Sequence, residues 1–453
     1  MVDNRGPVAV LRLRALENRA SESLFLIPAG FVVGGAAVGL LVDVFSGGIK
    51  ADDVPSYLAI GTNAAQTLLS TIAGATITTV GVVFSIVVLS VQLASGQFSP
   101  RIVRSFFDDR RSKFTVGILA ATFTYSVLAL FSVGGPDPNH RIPVVAVGIS
   151  VVLGIASILS IVSFLNHSAR RLYVGNLAER VMTETLTTID RLQSKRDARP
   201  GRDDGHEDES ALSDPVPEHA AVVRCATSGW VQQVSIEALT DAVEAGTTVR
   251  LETRAGAYVI AGTPVARVWS SRPGPRLEPD NLSKVRDAFV VAAQRSMQQD
   301  VDYGLRQLSD IALRSVSPAI NDPHTAVEIV LRHGTVLRRL IEIRLPPRVR
   351  EAGGVRVLRP HDLRFDDYID HAFSDLRRAA ADAPTVAAAI IATCHMLSEA
   401  AVSEGRGELG PAIGRHIDLV LATCEQAGLI EPDIQQLRRA AHTANETTAK
   451  PPA

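Results

Sequence analysis

Apolar residues are concentrated in the first third of the chain, where they form long uncharged runs. Residues 54–100 contain no Asp, Glu, Lys or Arg, and a bilayer crossing needs only about 20 predominantly apolar residues. This pattern predicts an α-helical membrane domain of four transmembrane helices within residues 24–180, preceded by a short N-terminal segment, 1–23. The other three apolar stretches are 24–42, 114–133 and 142–165.

Lys and Arg residues alternate between the loops that join these stretches. They are frequent before the first span, between the second and third spans, and after the fourth span, whereas the two remaining loops contain only Lys50 and Arg141. Because basic loops stay on the cytoplasmic side, we expect both termini to be cytoplasmic. The large C-terminal part is then cytoplasmic as well.

The second span has small and polar residues along one helical face. Positions three and four residues apart share a face. Two interpretations of this hydroxyl stripe stay open, namely close helix packing and a pore whose hydroxyls replace part of an ion's hydration shell. Both need another helix opposite the stripe, and a homo-oligomer would supply it. The stripe consists of Thr71, Gly74, Thr78, Gly81, Ser85, Gln92 and Ser95, and the opposite face includes Leu69, Ile72, Val80, Val83, Val87 and Val91.

The other spans show patterns of small residues that indicate close helix contacts. The first span contains two G-x-x-x-G pairs, and the fourth has a weaker version built from serines. No ionisable side chain lies in the middle of any span, which argues against a proton-coupled transporter but not against a channel. The residues are Gly30, Gly34, Gly35 and Gly39 in the first span, and Ser150, Gly154, Ser157 and Ser160 in the fourth.

The C-terminal part is predicted to be an α+β region. A segment rich in charge, Gly and Pro, 191–219, reads as a flexible linker. Short alternating strands with glycine turns predict a small β domain at 220–272. The phrases GWVQQVS and AGAYVIAGTPVARV are similar to half of a biotinyl or lipoyl barrel-sandwich, but the modified Lys is missing, because no Lys lies between Lys195 and Lys284.

Helical periodicity predicts a cytoplasmic helical domain at 276–446. Asp302 and Arg306 form an i, i+4 pair that we expect on an exposed face. Pro318 should end one helix, and Asp322 followed by Pro323 should begin the next. Four amphipathic helices are expected at 366–382, 385–404, 412–428 and 433–445.

The corner between two of these helices is a candidate ligand site. Its residues are Asn321, Asp322, His324 and Glu328, and the last two share a helical face. Helix N-termini attract anions, and an Asp/His/Glu set could hold a divalent metal. The structural alternative is a tightly specified turn.

A second polar group has the same ambiguity. It comprises His361, Asp362, Asp367, Asp370 and His371. Neither group has the ligand spacing typical of a known metal site, so the sequence identifies no cofactor or metal.

Composition narrows the remaining classes of function. The net charge of -2 argues against a nucleic-acid partner. The three cysteines, Cys225, Cys394 and Cys424, are widely spaced and indicate a reducing compartment. No common nucleotide, hydrolase or zinc-protease motif occurs. The sequence therefore favours a protein that is not an enzyme.

Two long motifs carry a family resemblance. The segments TTVGVVFSIVVLSVQLASGQFSPRIVRSFF and LRQLSDIALRSVSPAINDPHTA resemble the bacterial family of predicted membrane proteins that bears the domain of unknown function 2254. The likeness extends over nearly the whole chain. It implies a bacterial inner-membrane protein, but it implies no reaction, substrate or catalytic residue.

These observations predict a homo-oligomer of the inner membrane whose partners are the lipid bilayer and further copies of itself. The hypothesis that we favour is a channel or pore-like conduit for small ions, with the second span near its axis and a cytoplasmic domain that binds an unidentified ligand. The alternatives are a membrane-anchored scaffold or sensor without conduction, and a metal-dependent enzyme that uses Asp322 and His324.

Overall fold

The chain forms two compact units. A computed structural model describes residues 26–46, 61–97, 110–133, 144–171, 174–197, 209–270, 278–343 and 345–442. The membrane unit lies within Arg14–Tyr173, and the C-terminal unit is built from Val174 onward. The predicted N-terminal segment 1–23 lies outside the described residues, as does the part of the predicted linker at 198–208.

The membrane unit contains four helices that correspond to the four predicted spans. The central helix is α3, which packs against each of the other three. The second helix has 36 residues and is about 54 Å long, far more than the hydrocarbon core of about 30 Å. The helices are α1 (Leu26–Ser46), α2 (Thr62–Gln97), α3 (Arg110–Val133) and α4 (Val144–Arg171).

Glycines bring α1 close to α3. A Cβ atom added at Gly35 would lie 2.7 Å from the carbonyl oxygen of Ala121, and one added at Gly39 would lie 3.2 Å from Cβ of Leu128. One of the two predicted G-x-x-x-G pairs is therefore used inside the chain. The other pair, Gly30 and Gly34, has no neighbouring atom within 4 Å of an added Cβ.

A ladder of hydroxyl groups joins α3 to α4. Three hydroxyl pairs bridge the two helices, and the Tyr125 hydroxyl donates to the carbonyl of Ala146 at 3.0 Å. The ladder confirms the close contact that the serines of the fourth span predicted. The bridging pairs are Ser160 and Thr115 at 2.9 Å, Thr122 and Ser157 at 3.0 Å, and Ser126 and Ser150 at 2.8 Å.

The C-terminal unit combines nine helices with eight short strands in the described residues. Its helices are α5 (Val174–Asp197), α6 (Ile236–Asp241), α7 (Pro279–Asp287), α8 (Val301–Ser315), α9 (Pro323–Glu342), α10 (Phe365–Ala379), α11 (Pro384–Ser403), α12 (Gly410–Gln426) and α13 (Glu431–His442). Its strands are β1 (Ala221–Arg224), β2 (Gly229–Val234), β3 (Thr247–Leu251), β4 (Tyr258–Val259), β5 (Pro264–Ser270), β6 (Phe289–Ala292), β7 (Val349–Ala352) and β8 (Val355–Leu358). Two 3-10 turns, Glu209–Leu212 and Gly407–Leu409, complete it.

The strands form two sheets that share one hydrophobic core. The larger sheet has the order β1-β5-β3-β8-β7, and the smaller has the order β4-β2-β6. Strand β8 pairs with β3 in parallel, with Val249 opposite Val357, and β6 pairs antiparallel with β2. Strands β6, β7 and β8 lie in the range predicted as helical. The sheets therefore extend past the predicted domain boundary near residue 272.

The first helix of the C-terminal unit, α5, begins at Val174, within the range assigned to the predicted membrane domain. Its Thr188 hydroxyl donates to the carbonyl of Met297 at 2.8 Å, and its Asp190 accepts from Arg339 Nε at 2.9 Å. These contacts tie α5 to segments more than 100 residues later. Residues 191–197, predicted as the start of the linker, continue this helix, and their Gln193 accepts from Arg339 at 3.0 Å.

The four amphipathic helices predicted near the C-terminus are confirmed as α10 to α13. One of them, α11, is as long and apolar as a membrane span, but it packs against α9, α12 and α13, and its buried side chains face the core of the unit. We therefore assign the fourth crossing to α1 instead. Its apolar stretch Leu26–Val42 is about 25 Å long, and its Val33 and Leu40 are exposed.

Two helical glycines in the C-terminal unit mark close helix contacts. A Cβ added at Gly304 in α8 would overlap the Thr185 hydroxyl of α5, and one added at Gly334 in α9 would lie 2.6 Å from Cγ2 of Thr393 in α11. We expect Gly304→Ala to lower the free energy of unfolding of this unit by about 1 to 3 kcal/mol, because overpacking forces neighbouring atoms apart. Urea titration followed by tryptophan fluorescence measures this change, since both tryptophans, Trp230 and Trp269, lie in the C-terminal unit.

Gly414 in α12 supplies the matched control. An added Cβ there meets nothing within 4 Å, so Gly414→Ala should stabilise the unit by about 0.5 to 1 kcal/mol through helix propensity alone. Equal effects of the two substitutions would contradict a close contact between α5 and α8.

Candidate functional site

The hydroxyl stripe of α2 lies on the outside of the membrane unit. Leu69 and Val83 on the opposite face are buried against α3 and α4. A Cβ atom added at Gly74 or Gly81 would meet no atom within 4 Å. In a single chain, no helix of the described residues covers the stripe. Its exposed residues are Thr71, Gly74, Thr78, Gly81, Ser85 and Gln92, and the side chain of Ser95 lies outside the described residues.

The stripe hydroxyls donate their hydrogens to the backbone of their own helix. Thr71 donates to the carbonyl of Thr67 at 2.7 Å, and Ser85 donates to that of Gly81 at 2.8 Å. Thr78 lies within reach of two such carbonyls, at 2.9 and 3.0 Å. With their hydrogens directed inward, these three hydroxyls present oxygen lone pairs outward, whereas the exposed Gln92 amide offers both a donor and an acceptor.

The candidate corner around Asp322 is an N-cap of α9. Asp322 accepts from the backbone N–H of Thr325 at 3.1 Å and from its hydroxyl at 2.6 Å, and these bonds hold the pKa of Asp322 below its usual value. Asn321 adopts a left-handed conformation with φ of 51°, which Asn tolerates better than most residues. The corner therefore fixes the turn between α8 and α9, as the structural alternative predicted.

The remaining residues of this candidate site do not converge on a common point. The Glu328 carboxylate pairs with Arg332 at 2.7 Å, and His324 is exposed at the start of the helix. In the described part of the chain, no three His, Cys, Asp or Glu side chains are grouped so that they could hold a metal ion. The metal-dependent enzyme hypothesis thus gains no support from Asp322 and His324.

The second polar group is also divided among separate contacts. Asp367 accepts from the backbone N–H of Arg364 and caps α10. Asp370 turns toward α12, where it pairs with Arg415 at 3.0 Å. His371 turns toward α8.

His371 belongs to a buried ionic cluster that the sequence did not predict. We define this buried cluster as Arg295, Asp300, Asp302, Arg306 and His371. The Asp302 carboxylate is only 1% exposed and receives three donors: His371 Nδ1 at 2.6 Å, Arg295 at 2.8 Å and Arg306 at 2.9 Å. Asp300 pairs with Arg295 at 2.6 Å and caps α8.

Aromatic rings cover the Arg295 guanidinium. Its central carbon lies 5.4 Å from the centroid of Trp230 in β2 and 5.2 Å from that of Tyr303 in α8. Cation–π contacts of this kind are stronger when water is excluded. Arg295 therefore links the smaller sheet to the first turn of α8.

The two aspartates of the buried cluster respond differently to their surroundings. Burial alone would raise the pKa of Asp302, but the bonds from His371, Arg295 and Arg306 more than offset it, and the pKa falls well below its usual value. Burial dominates at Asp300, whose pKa is raised although Arg295 opposes the shift. The cluster thus holds Asp302 as a carboxylate that is paired on every side.

The geometry of Asp302 and His371 resembles that of a proton-transfer pair. The carboxylate orients the imidazole through Nδ1 and leaves Nε2 without a hydrogen bond among the described residues. No hydroxyl or thiol in that part of the chain bonds to Nε2, so the pair lacks a nucleophile. The role that its contacts support is to connect α10 to α8.

The sequence missed this cluster for a physical reason. Asp302 and Arg306 do pair as predicted, but the expectation of an exposed face was wrong. An i, i+4 spacing brings two charges together on buried and exposed helix faces alike. The other partners of Asp302 are Arg295 in a loop and His371 in α10, which lies 69 residues later in the chain. Periodic patterns in the sequence do not indicate contacts between such separate segments.

Comparisons with known proteins agree with the architecture. A family model for predicted membrane proteins, DUF2254, matches residues 21–396. This chain belongs to the DUF2254 family. The DUF2254 chain is also 32% identical, over 397 residues, to uncharacterised proteins of Mycobacterium bovis and Mycobacterium tuberculosis, and the match covers 85% of this chain and 73% of each relative. No solved structure matches it.

The buried cluster of this DUF2254 protein should be essential for the stability of its C-terminal unit. We expect Asp302→Asn to lower the free energy of unfolding by about 3 kcal/mol, because it removes a counter-charge from Arg295, which is largely buried, and from the partly buried Arg306. Tryptophan fluorescence in a urea titration measures the change.

An exposed ion pair provides the control for this substitution. Asp375 and Arg378 pair on the surface of α10, where such pairs contribute about 1 kcal/mol or less. If Asp375→Asn were as damaging as Asp302→Asn, burial would not be the cause.

Proposed function

We propose that this protein assembles as a homo-oligomer in the bacterial inner membrane and forms a conduit for small ions, with the hydroxyl stripes of several α2 helices around its axis. The observation that supports this proposal most strongly is the position of the stripe. Hydroxyls on α3 and α4 bond to each other inside the chain, whereas those of the stripe face outward. Contact with other copies would remove the stripe from lipid.

The bonding of the stripe favours cations over anions. Thr71, Thr78 and Ser85 direct their hydrogens to backbone carbonyls, so oxygen lone pairs would face the axis. Oxygen atoms can replace the water around a cation, but an anion needs donors. We therefore propose small monovalent cations as the conducted species.

The C-terminal unit is the proposed regulatory part. The basic loops support a cytoplasmic location for it. Its helix α5 begins at Val174, three residues after α4 ends at Arg171, so a rearrangement of α5 would act close to the membrane along the chain.

A membrane-anchored scaffold or sensor is the competing function, and one observation favours it. Gly74 and Gly81 leave open space on the stripe, which suits helices that pack directly against each other. In that arrangement the axis would be closed. Association and conduction are therefore tested separately.

We expect the stripe to lie at an interface between copies. In native membranes, oxidation of a Ser85→Cys variant should give a covalent dimer, because a disulfide requires Cα atoms within about 7 Å. The native cysteines are buried in the C-terminal unit. Phe84→Cys is the matched control, since Phe84 is also exposed but lies outside the stripe. Equal dimer yields from both variants would exclude a specific interface.

We expect purified protein in liposomes to pass K⁺ faster than Cl⁻. Ser85→Leu should reduce the K⁺ flux by an order of magnitude or more, because an apolar constriction expels water from a pore. Phe84→Leu, on the lipid-facing side, should leave the flux unchanged. Cross-linking through residue 85 without any ion flux would reject the conduit and favour the scaffold.

A further inference from the structure

Two buried histidines flank one phenylalanine in the core of the C-terminal unit. His333 on α9 and His416 on α12 are both fully buried. Their rings lie 6.0 and 6.1 Å from the ring of Phe373 on α10, at interplanar angles of 78° and 69°. We define His333, Phe373 and His416 as the histidine row. The row joins three helices that are distant in sequence.

His333 has no place for a second proton. Its Nε2 lies 3.2 Å from the carbonyl oxygen of Leu305 and 3.3 Å from the Ser309 hydroxyl, both on α8. The carbonyl can only accept, so this geometry assigns the hydrogen to Nε2. Nδ1 is buried without a partner in the described chain. Protonation there would create a buried charge with no acceptor.

His416 is surrounded by charges that partly cancel. Its Nε2 lies 3.0 Å from Oδ1 of Asp370 on α10, without hydrogen-bond alignment. Arg377 on α10 and Arg415 on its own helix oppose a positive charge on the ring. Asp370 is already paired with Arg415. Protonated His416 would therefore compete for a carboxylate that is in use.

The other helices around the row supply no compensating charge. The buried side chains of α11, which packs against both α9 and α12, are uncharged and include Thr393 and Cys394. Those of α13 are Ile434, Leu437 and Ala441. On α8, the buried Asp302 is engaged by the buried cluster. Apart from the charges beside His416, the row is thus lined by uncharged buried side chains, and the one carboxylate near it, Asp370, is already paired with Arg415. This setting favours imidazole over imidazolium.

We propose that the histidine row is an acid-sensitive switch, in which protonation of His333 and His416 loosens α10 from α9 and α12. The contact of His371 with Asp302 at 2.6 Å lies apart from the histidine row. Helix α10 would remain tethered to α8 while its other contacts open. Acid would then change the conformation of the C-terminal unit rather than unfold it entirely.

The direction of the pKa shifts supports this proposal. Burial lowers the pKa of His333 to about 4 and lowers that of His416. In an open form the pKa of each would return toward its ordinary value of about 6.5. The open form therefore binds more protons, so the closed packing is fully favoured above about pH 6.5 and is weakened as the pH falls toward 4.

Hydrogen–deuterium exchange of the full-length protein in detergent micelles tests the switch. We expect the protection of the α10 peptides, corrected for the intrinsic pH dependence of exchange, to fall by up to about 30-fold between pH 7.5 and pH 5, the limit that linkage sets for His333 alone. His333→Gln and His416→Gln should each reduce this change. His324→Gln is the matched control, because His324 is exposed on the same helix as His333, and it should retain the full change.

Two results would overturn the switch. One is equal corrected protection of α10 at both pH values. The other is a full pH response in the double variant His333→Gln, His416→Gln. If tryptophan fluorescence shows that the variants do not fold at neutral pH, the proposal is tested on the unaltered protein instead. The quantity measured is then the pH midpoint of the change in protection of its α10 peptides. A midpoint between about pH 4 and 6.5 that persists in an Asp300→Asn variant supports histidine titration, since burial raises the pKa of Asp300. A midpoint below about pH 4, or one that disappears in Asp300→Asn, assigns the response to carboxylates and rejects the proposal.

Discussion

In hydrocarbon, a hydroxyl hydrogen without an acceptor is costly, and this constraint organises the membrane unit. The chain satisfies it in two ways. On α3 and α4 the hydroxyls bond to each other across the helix interface, which fixes the position of the two helices. On α2 they bond to backbone carbonyls of their own helix. Their hydrogens therefore need no partner on another helix, and the small-residue face of α2 is not covered within the chain. Hydroxyl groups therefore join α3 to α4 inside the membrane unit, whereas on α2 they lie on its outer surface.

In the C-terminal unit, a loop between β6 and α8 has an equally central position. Gln299 bonds to the backbone of Val234 in β2, the Met297 carbonyl accepts from Thr188 in α5, and Arg295 reaches Asp302 in α8. The smaller sheet, α5 and the helical core thus meet at one short segment. Because His371 of α10 binds the same Asp302, a change in the packing of α10 would alter the contacts of this segment.

The sequence predicted best where local periodicity is strong. The four spans, the Asp322 cap and the helices α10 to α13 follow from runs of apolar residues, capping residues and helical spacing. Strands β6 to β8 have four residues each and are too short for an alternating pattern to be distinguished from a helix. The buried cluster depends on contacts between Asp302 and His371, which are distant in sequence. The exposed position of the hydroxyl stripe depended on which face of α2 meets α3, and amphipathicity alone could not decide this.

The place of α5 in the core has a consequence for synthesis of the protein. Its apolar side, which includes Leu177, Val181 and Ile189, packs on helices that are made much later, and Asp190 is 149 residues from Arg339. At about 5 to 20 residues per second, this interval lasts roughly 7 to 30 s. During that time α5 has been made while its partners have not. The order of the chain therefore creates a window in which the apolar side of α5 lacks its native cover and needs a temporary one, such as a chaperone.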